Sequence, residues 1–188
     1  MIEYNHEIMK PDLARSKVFI REAFGWLSTL FIAGALAFLV STFLLGTNEV
    51  FSSSMQPTLV EGNRILVSRL AYALGTPVRG EIVIFEPPIT PASPTPYVKR
   101  VIGLAGEQLD IANGKVFINN QELLEPYVKG ETRAIRWVHL LIPPDTVFLM
   151  GDNRENSYDS RSFGPVPVSS LQGRAILRYW PLNSPQPF

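Results

Sequence analysis

Three consecutive serines begin residues 52–59 and are the first candidates for chemistry in this chain. Serine competes for backbone hydrogen bonds and Pro57 removes a donor, so this stretch favours an irregular loop that can hold a hydroxyl in the open. A serine hydroxyl is a weak nucleophile until a base takes its proton. A serine-rich linker is the alternative interpretation, and the stretch alone leaves both open.

The composition limits which side chains could act as the base for a serine nucleophile and which partners the chain could bind. The 188 residues contain no Cys, and the two His are His6 and His139. Thiol catalysis and disulfides are therefore excluded, and a zinc site built mainly from imidazoles is disfavoured. The 17 basic residues balance 17 acidic residues, so nothing in the charge indicates binding to nucleic acid.

A lysine lies in residues 97–102, a run typical of a β-strand. Side chains alternate along a strand, so Tyr97, Lys99 and Val101 share one face while Arg100 points to the other. Desolvation on an apolar face lowers the pKa of a lysine and would make it a candidate base. A structural lysine in a salt bridge is the alternative.

The densest polar block of the chain is residues 151–167. A solvated turn would explain its Gly, Asp, Asn and Ser, but not two arginines interleaved with two aspartates at such close spacing. Charge pairs such as Asp159 with Arg161 can hold a loop in one shape when they are partly buried, and contribute little on a free surface.

The elements that must position these residues are mainly β-strands. Asn113-Gly114 predicts a hairpin, because a type I′ turn needs positive φ at both central residues. Five prolines in residues 87–96 predict a stiff loop outside the sheet. No long amphipathic helix follows residue 47, so we expect a mainly β domain, an antiparallel sandwich or barrel-like sheet. Branched and aromatic runs predict the strands at residues 63–70, 80–85, 97–102, 109–119, 146–150 and 174–180.

An uncharged apolar run of 26 residues separates Glu22 from Glu49. About 20 apolar residues cross a bilayer, so we predict one N-terminal transmembrane helix at residues 23–47. A cleaved signal peptide is the alternative, but its apolar core would be shorter and nearer the N-terminus. Basic residues precede the run, so the positive-inside rule predicts a cytosolic segment at residues 1–22 and an extracytoplasmic β-rich domain at residues 48–188.

Four motifs follow one another along the chain: S-x-S-M-x-P-T-L (52–59), G-x-I-V-x-F (80–85), Y-x-K-R-V-I-G-L (97–104) and G-D-N-R-x-N-S-x-D-S-R (151–161). They resemble the boxes of type I signal peptidase. With the apolar run, the match in order and spacing covers most of residues 25–180, and the closing residues 173–182 most resemble members from cyanobacteria and plastids. The chain departs from the family pattern, which usually has Pro where this chain has Phe51 and Ala105, and Asp where it has Glu81 and Glu107. Glu155 is a further departure, in the last motif, and none of these changes removes a reacting group.

The resemblance implies a membrane-bound serine endopeptidase that removes N-terminal signal peptides from secreted precursors by cutting after small residues of the A-x-A type. It implies that Ser54 is the nucleophile and Lys99 its general base. The apolar neighbours of His139 at residues 137–141 indicate instead a packed or surface imidazole. The Ser54 N–H and the Ser52 hydroxyl would form the oxyanion hole. The supporting residues that it implies are Ser157, which would orient the Lys99 amine, and Asp152, Asp159, Arg161 and Arg100.

The resemblance also implies partners and a location. The partners would be signal-peptide-bearing precursors and the lipid bilayer of a cell or thylakoid membrane, with no metal, cofactor or nucleic acid. A self-cleaving repressor also uses a Ser-Lys pair on a β fold, but it carries a DNA-binding segment where this chain has an apolar run. A catalytically silent, membrane-anchored peptide-binding β domain is the other alternative. Loss of Ser54 or Lys99 would indicate it, and both are present.

Overall fold

A computed structural model describes residues 13–39, 44–88, 95–134 and 139–188. The chain divides into two compact units, Met1–Thr42 and Phe43–Phe188. In the first unit, helix α1 (Leu13–Leu39) carries largely exposed apolar side chains, among them Phe24 and Trp26.

Within the described ranges, no helix combines the length and the apolarity needed to cross a membrane. The transmembrane helix at residues 23–47 therefore stays a prediction, and residues 40–43 lie outside the described ranges. Helix α1 begins inside the segment predicted as polar and cytosolic. No proline interrupts the chain between Pro11 and Pro57, so the backbone can be helical from Leu13 onward.

The second unit is built mainly from antiparallel strands, as predicted. Its helical segments are short: α2 (Ala71–Leu74), α3 (Ser160–Phe163) and 3-10 turns at Ser53–Met55 and Val168–Ser170. The strands are β1 (Leu45–Glu49), β2 (Arg64–Ser68), β3 (Ile82–Phe85), β4 (Tyr97–Gly103), β5 (Gln108–Ala112), β6 (Lys115–Ile118), β7 (Gln121–Glu122), β8 (His139–Leu141), β9 (Thr146–Met150), β10 (Val166–Pro167), β11 (Leu171–Trp180) and β12 (Gln186–Pro187).

The strands form two sheets. The larger has eight strands in the order β1-β2-β11-β3-β4-β9-β10, with β12 paired to β11. Register shifts in β11, the longest strand, let its first part pair with β3 and its second part with β2. Such bulges bend a strand and increase its twist. The bend in β11 gives the larger sheet its curl.

The smaller sheet has the order β7-β6-β5-β8. Its β5–β6 hairpin turns at Asn113 and Gly114, which have φ of 51° and 76° and confirm the predicted Asn-Gly turn. Ile102 of β4 and Phe148 of β9 share one buried cluster with Leu109 of β5. This core joins the small sheet to the large one.

The predicted end of the transmembrane helix needs correction, and part of the predicted proline-rich loop cannot be compared with the structure. Residues 45–47, predicted as the end of the transmembrane helix, belong to β1, because their backbone pairs with β2 from Leu66 to Ser68. Residues 89–94 of the proline-rich loop lie outside the described ranges.

Candidate active site

The serine loop between β1 and β2 is a single 3-10 turn, Ser53–Met55. The extended Ser52 caps it, and the Ser52 Oγ accepts a hydrogen bond of 3.3 Å from the Ser54 N–H. Met55 and Leu59 are buried in the core of the large sheet and anchor the loop. The prediction of an irregular loop is confirmed, but the Ser54 hydroxyl is not in the open, since Ser54 is only 7% exposed.

Strand β4 brings Lys99 to this serine. The Lys99 Nζ lies 2.7 Å from the Ser54 Oγ and 3.1 Å from the Val98 carbonyl oxygen, and Lys99 is 3% exposed. Burial lowers the pKa of Lys99 to about 8, although the carboxylates of Asp159 and Asp152 oppose this shift and only the Arg161 charge adds to it. Near pH 8 a large share of Lys99 is therefore the neutral amine, which can accept a hydroxyl proton.

The two groups predicted as oxyanion donors lie at the same serine. The Ser52 hydroxyl donates to the Ser54 Oγ across 3.0 Å, while its oxygen accepts from the Ser54 N–H. In the free enzyme the Ser54 N–H is therefore bonded to the Ser52 Oγ, and the Ser52 hydroxyl is bonded to the Ser54 Oγ. A substrate oxygen would have to replace these contacts.

Arg100 points away from Lys99, as strand alternation predicts. It makes a two-pronged ion pair with the fully buried Asp152, with Nε–Oδ1 at 2.9 Å and Nη2–Oδ2 at 2.7 Å. Asp152 also accepts from the Thr58 hydroxyl of the serine loop. The Arg100–Asp152 pair therefore connects β4, the polar block and the serine loop.

Asp159 and Arg161 form the second buried ion pair, as predicted. The Arg161 Nε and Nη2 lie 2.8 Å from the two Asp159 oxygens. Asp159 also accepts from the Gly151 N–H across 3.1 Å and caps α3 through the Arg161 N–H. One carboxylate thus fixes both ends of the loop that links β9 to α3.

Ser157 makes no hydrogen bond to Lys99 in the described structure, so its role in orienting the amine stays a prediction. Its Oγ is buried and makes no hydrogen bond within the described structure, whereas the Lys99 Nζ is held by Ser54 and the Val98 carbonyl. Ser157 instead packs on Gly151, where an added Cβ would lie 2.3 Å from the Ser157 Oγ and 2.5 Å from the Ser54 carbonyl oxygen. Only glycine allows this approach.

Sequence reasoning missed Asn153, which also holds the serine loop. Its N–H donates to the Ser54 carbonyl at 3.0 Å and its side-chain amide to the Ser53 carbonyl at 3.1 Å. The only sequence signal for this role was its place in the 151–161 motif. The partner carbonyls could not be inferred, because they lie about 100 residues away in the chain.

A cavity of about 300 Å³ opens beside the Ser54–Lys99 pair. It is lined by residues 49–55, residues 95–99, Asn156 and Tyr158. His139 lies elsewhere, exposed on the small sheet and paired with Asp110. Across the described ranges, no group of three or more His, Asp or Glu is arranged to hold a metal ion.

A family model described as signal peptidase, peptidase S26, matches residues 23–180. Signal peptidase I of Leptolyngbya laminosa is 36% identical over 84% of this chain and 79% of its own length. Probable signal peptidase I-2 of a Synechocystis species is 37% identical over 82% of this chain and 72% of its own. Thylakoidal processing peptidase 1 of Arabidopsis thaliana is 32% identical over 80% of this chain and 46% of its own.

These matches confirm the resemblance that the four motifs predict, including its cyanobacterial and plastid character. The chain therefore belongs to the signal peptidase family, peptidase S26, and is a serine peptidase of the type I, cyanobacterial and plastid kind.

Proposed function

We propose that this chain removes N-terminal signal peptides from secreted precursors through an acyl-enzyme on Ser54, with Lys99 as the general base. The observation that carries the proposal is the 2.7 Å contact between the Ser54 Oγ and the Lys99 Nζ in a buried site. A hydroxyl and an amine at this distance can exchange a proton directly. A pKa of about 8 makes the neutral amine available near neutral pH.

In the first step, neutral Lys99 takes the Ser54 proton while the Oγ attacks the scissile carbonyl carbon. The tetrahedral intermediate collapses to an ester on Ser54, and the Lys99 ammonium gives its proton to the departing amine. In the second step, neutral Lys99 takes a proton from water, and the resulting hydroxide attacks the ester. The proton then returns to the Ser54 Oγ as the peptide acid leaves.

The oxyanion of each intermediate would be held by the Ser54 N–H and the Ser52 hydroxyl. The Ser52 hydroxyl donates to the Ser54 Oγ in the free enzyme, so it would turn toward the oxyanion as the Oγ becomes an ester oxygen. Ser157, with its buried and unpartnered Oγ, would accept from the Lys99 ammonium after proton transfer. The buried ion pairs Arg100–Asp152 and Asp159–Arg161 would keep the polar block against the serine loop.

We propose that the substrate lies in the cavity as an extended peptide with small residues of the A-x-A type before the cut. Residues 49–53 and 95–98 border the cavity, so an extended peptide in it would lie alongside both segments. Met55 and Val98 also line it, so a bulky side chain beside Ser54 would compete with them for space.

We further propose a membrane location, with residues 1–22 in the cytosol, an anchor within residues 23–44, and the β-rich unit from residue 45 onward on the extracytoplasmic or thylakoid-lumen side. The proposal is supported by the uncharged run between Glu22 and Glu49 and by the basic residues that precede it. The partners would then be precursor proteins and the bilayer, with no role for nucleic acid.

The test is cleavage of a precursor with an A-x-A site by the detergent-solubilised full chain across pH. Ser54→Ala and Lys99→Ala should abolish cleavage, and the wild-type rate should rise through a pKa of about 8. Ser170→Ala is the matched control, because its hydroxyl donates to the Pro167 carbonyl and it does not line the cavity. A large residue in place of the small one before the cut should stop cleavage of that precursor.

Two outcomes would contradict the proposal. Near-full activity of Lys99→Ala would refute the assignment of the base. If the wild-type chain bound the precursor without cutting it, the peptide-binding alternative would replace the enzyme.

A further inference from the structure

Residues 125–132, which follow β7 of the small sheet, contact the polar block of the active site. Their backbone pairs with the polar block: the Lys129 N–H donates to the Asp152 carbonyl at 2.8 Å, and the Arg154 N–H donates to the Lys129 carbonyl at 2.9 Å. None of the described residues that line the cavity comes from this segment. Residues 125–132 therefore contact the polar block without lining the cavity.

A buried ion pair strengthens this junction. The Arg154 Nη1 and Nη2 lie 2.9 Å and 2.5 Å from the two Glu125 oxygens, and these side chains are 0% and 8% exposed. Arg154 also donates to the Thr132 hydroxyl at 2.5 Å and to the Gly151 carbonyl at 3.1 Å. A guanidinium held on a carboxylate by two bonds has its orientation fixed as well as its charge compensated.

Residues 151–154, which contain Arg154, also contact the loop that carries Ser54. The Asn153 N–H donates to the Ser54 carbonyl at 3.0 Å, and Gly151 lies against that carbonyl and Ser157. A second route also leads from Glu125, because Tyr127 donates to its carboxylate at 3.1 Å and stacks on Arg100 with 4.0 Å between ring centre and guanidinium carbon. Both routes end at groups that contact the serine loop or its Asp152 partner.

From these contacts we propose that Glu125 is a positioning residue: it holds Arg154, and through Arg154 it keeps residues 151–153 against the Ser54 loop. The proposal rests on the function proposed above, in which Ser54 is the nucleophile. Glu125 lies outside the four sequence motifs, so its role follows from the fold alone. Glu125 acts through Arg154 and does not touch the substrate.

A positioning role and a purely structural role predict different kinetics. Displacing a nucleophile by a fraction of an ångström lowers kcat steeply, by as much as about 100-fold for a shift of about 1 Å. KM should stay near the wild-type value, because Glu125 does not border the cavity. The midpoint of the pH profile should also stay, because the groups that set the pKa of Lys99 are its burial, Asp159, Asp152 and Arg161.

The experiment compares the full-length chain in detergent with Glu125→Gln and Arg154→Lys, and uses cleavage of one A-x-A precursor as the probe. Both variants should lower kcat about tenfold or more with KM within about twofold, and their effects should not add in the double variant. Glu122→Gln is the matched control: it removes a carboxylate from an exposed ion pair with Lys115 in the same sheet. Ile118→Val controls for a loss of stability in that sheet without loss of a charge contact.

Amide hydrogen exchange gives a readout that does not need turnover. Glu125→Gln should speed exchange at Lys129 and Arg154, whose N–H groups bond across the junction, and at Asn153, whose N–H donates to the Ser54 carbonyl. Unchanged exchange at these amides, or faster exchange with wild-type kcat, would overturn the positioning role. An inactive wild type would refute the proposed function, while the exchange comparison would still decide whether Glu125 holds the block. A kcat loss equal to that of Ile118→Val at equal thermal stability would also overturn it.

Discussion

Replacing Lys99 with Met removes a buried cation and keeps a side chain of similar length. Burial lowers the pKa of Lys99 from 10.5 to about 8. At about 1.4 kcal/mol per pH unit, the difference between 10.5 and 8 corresponds to a penalty of about 3 kcal/mol for the charged form in the folded chain. Burying the charged Lys99 therefore lowers the free energy of unfolding of the wild type, and Lys99→Met removes this penalty.

The sign of the pH dependence follows from the lowered pKa. Below pH 8 both the folded and the unfolded chain hold the Lys99 proton, and the full penalty applies. Between pH 8 and 10.5 the unfolded chain binds more protons than the folded one, so the wild-type free energy of unfolding rises with pH. Above 10.5 the penalty is gone.

At pH 7, Lys99→Met should therefore be more stable than the wild type while being inactive. The gain is the penalty of about 3 kcal/mol less about 1 kcal/mol for each hydrogen bond lost, to the Ser54 Oγ and the Val98 carbonyl. A net gain of about 1 kcal/mol is expected, and it should vanish and reverse as the pH passes about 9, since the wild type gains about 1.4 kcal/mol per pH unit above pH 8.

Urea unfolding of the detergent-solubilised chain, followed by tryptophan fluorescence from about pH 7 to about pH 11, measures this difference. Lys115→Met is the control, because Lys115 is exposed on the small sheet and its variant should follow the wild-type pH dependence. Parallel unfolding curves for wild type and Lys99→Met over the whole range would refute the idea of a desolvated lysine.

Three further predictions concern the groups around the pair. Gly151→Ala would place a Cβ 2.3 Å from the Ser157 Oγ, so precursor cleavage should fall at least tenfold, roughly, and a fully active variant would contradict the close packing described. Asp152→Asn leaves Arg100 buried without its charge partner and should cost about 3–5 kcal/mol in urea unfolding; a loss under about 1 kcal/mol would show that the pair is not essential. Ser52→Ala should lower kcat by about 10²–10³ with little change in KM, and an unchanged kcat would remove Ser52 from the oxyanion hole.

The departures from the family pattern have a physical account in the structure. Glu107 stands where the family usually has Asp, and its Oε2 accepts the Leu104 N–H at 2.8 Å to close the turn after β4. Its other oxygen pairs with Arg79, which donates to the Ile102 carbonyl at 2.5 Å. Glu107 thus closes the turn and also forms an ion pair with Arg79. These contacts hold the end of β4 although Ala105 replaces the usual Pro.

Glu81, another departure, is also held by several partners. It accepts from the Tyr72 hydroxyl at 2.9 Å, the Val78 N–H at 3.1 Å and Arg174 at 2.7 Å. These bonds fix the start of β3, which pairs with β4 so that Val83 faces Lys99. Glu81 therefore helps to position β3 beside β4, the strand that carries Lys99, and is not itself a reacting group.

Local patterns in the sequence determined several features correctly. Strand alternation at residues 97–102 placed Lys99 and Arg100 on opposite faces, and Asn113-Gly114 marked its hairpin, because both depend on the backbone of a few adjacent residues. The order of the four motifs sufficed to indicate the family, and the close spacing of Asp159 and Arg161 indicated their pairing. Information of this kind is contained within short windows of the chain.

Tertiary structure alone decided which distant groups meet. The 2.7 Å approach of Lys99 to Ser54, the grip of Asn153 on the serine loop and the contact of Glu125 with Arg154 join residues from about 30 to 100 positions apart. The burial that lowers the pKa of Lys99, and the position of Ser157 on Gly151 rather than on Lys99, depend on how two sheets and their loops pack. Distances and desolvation arise from packing between elements, and no pattern along one strand contains them.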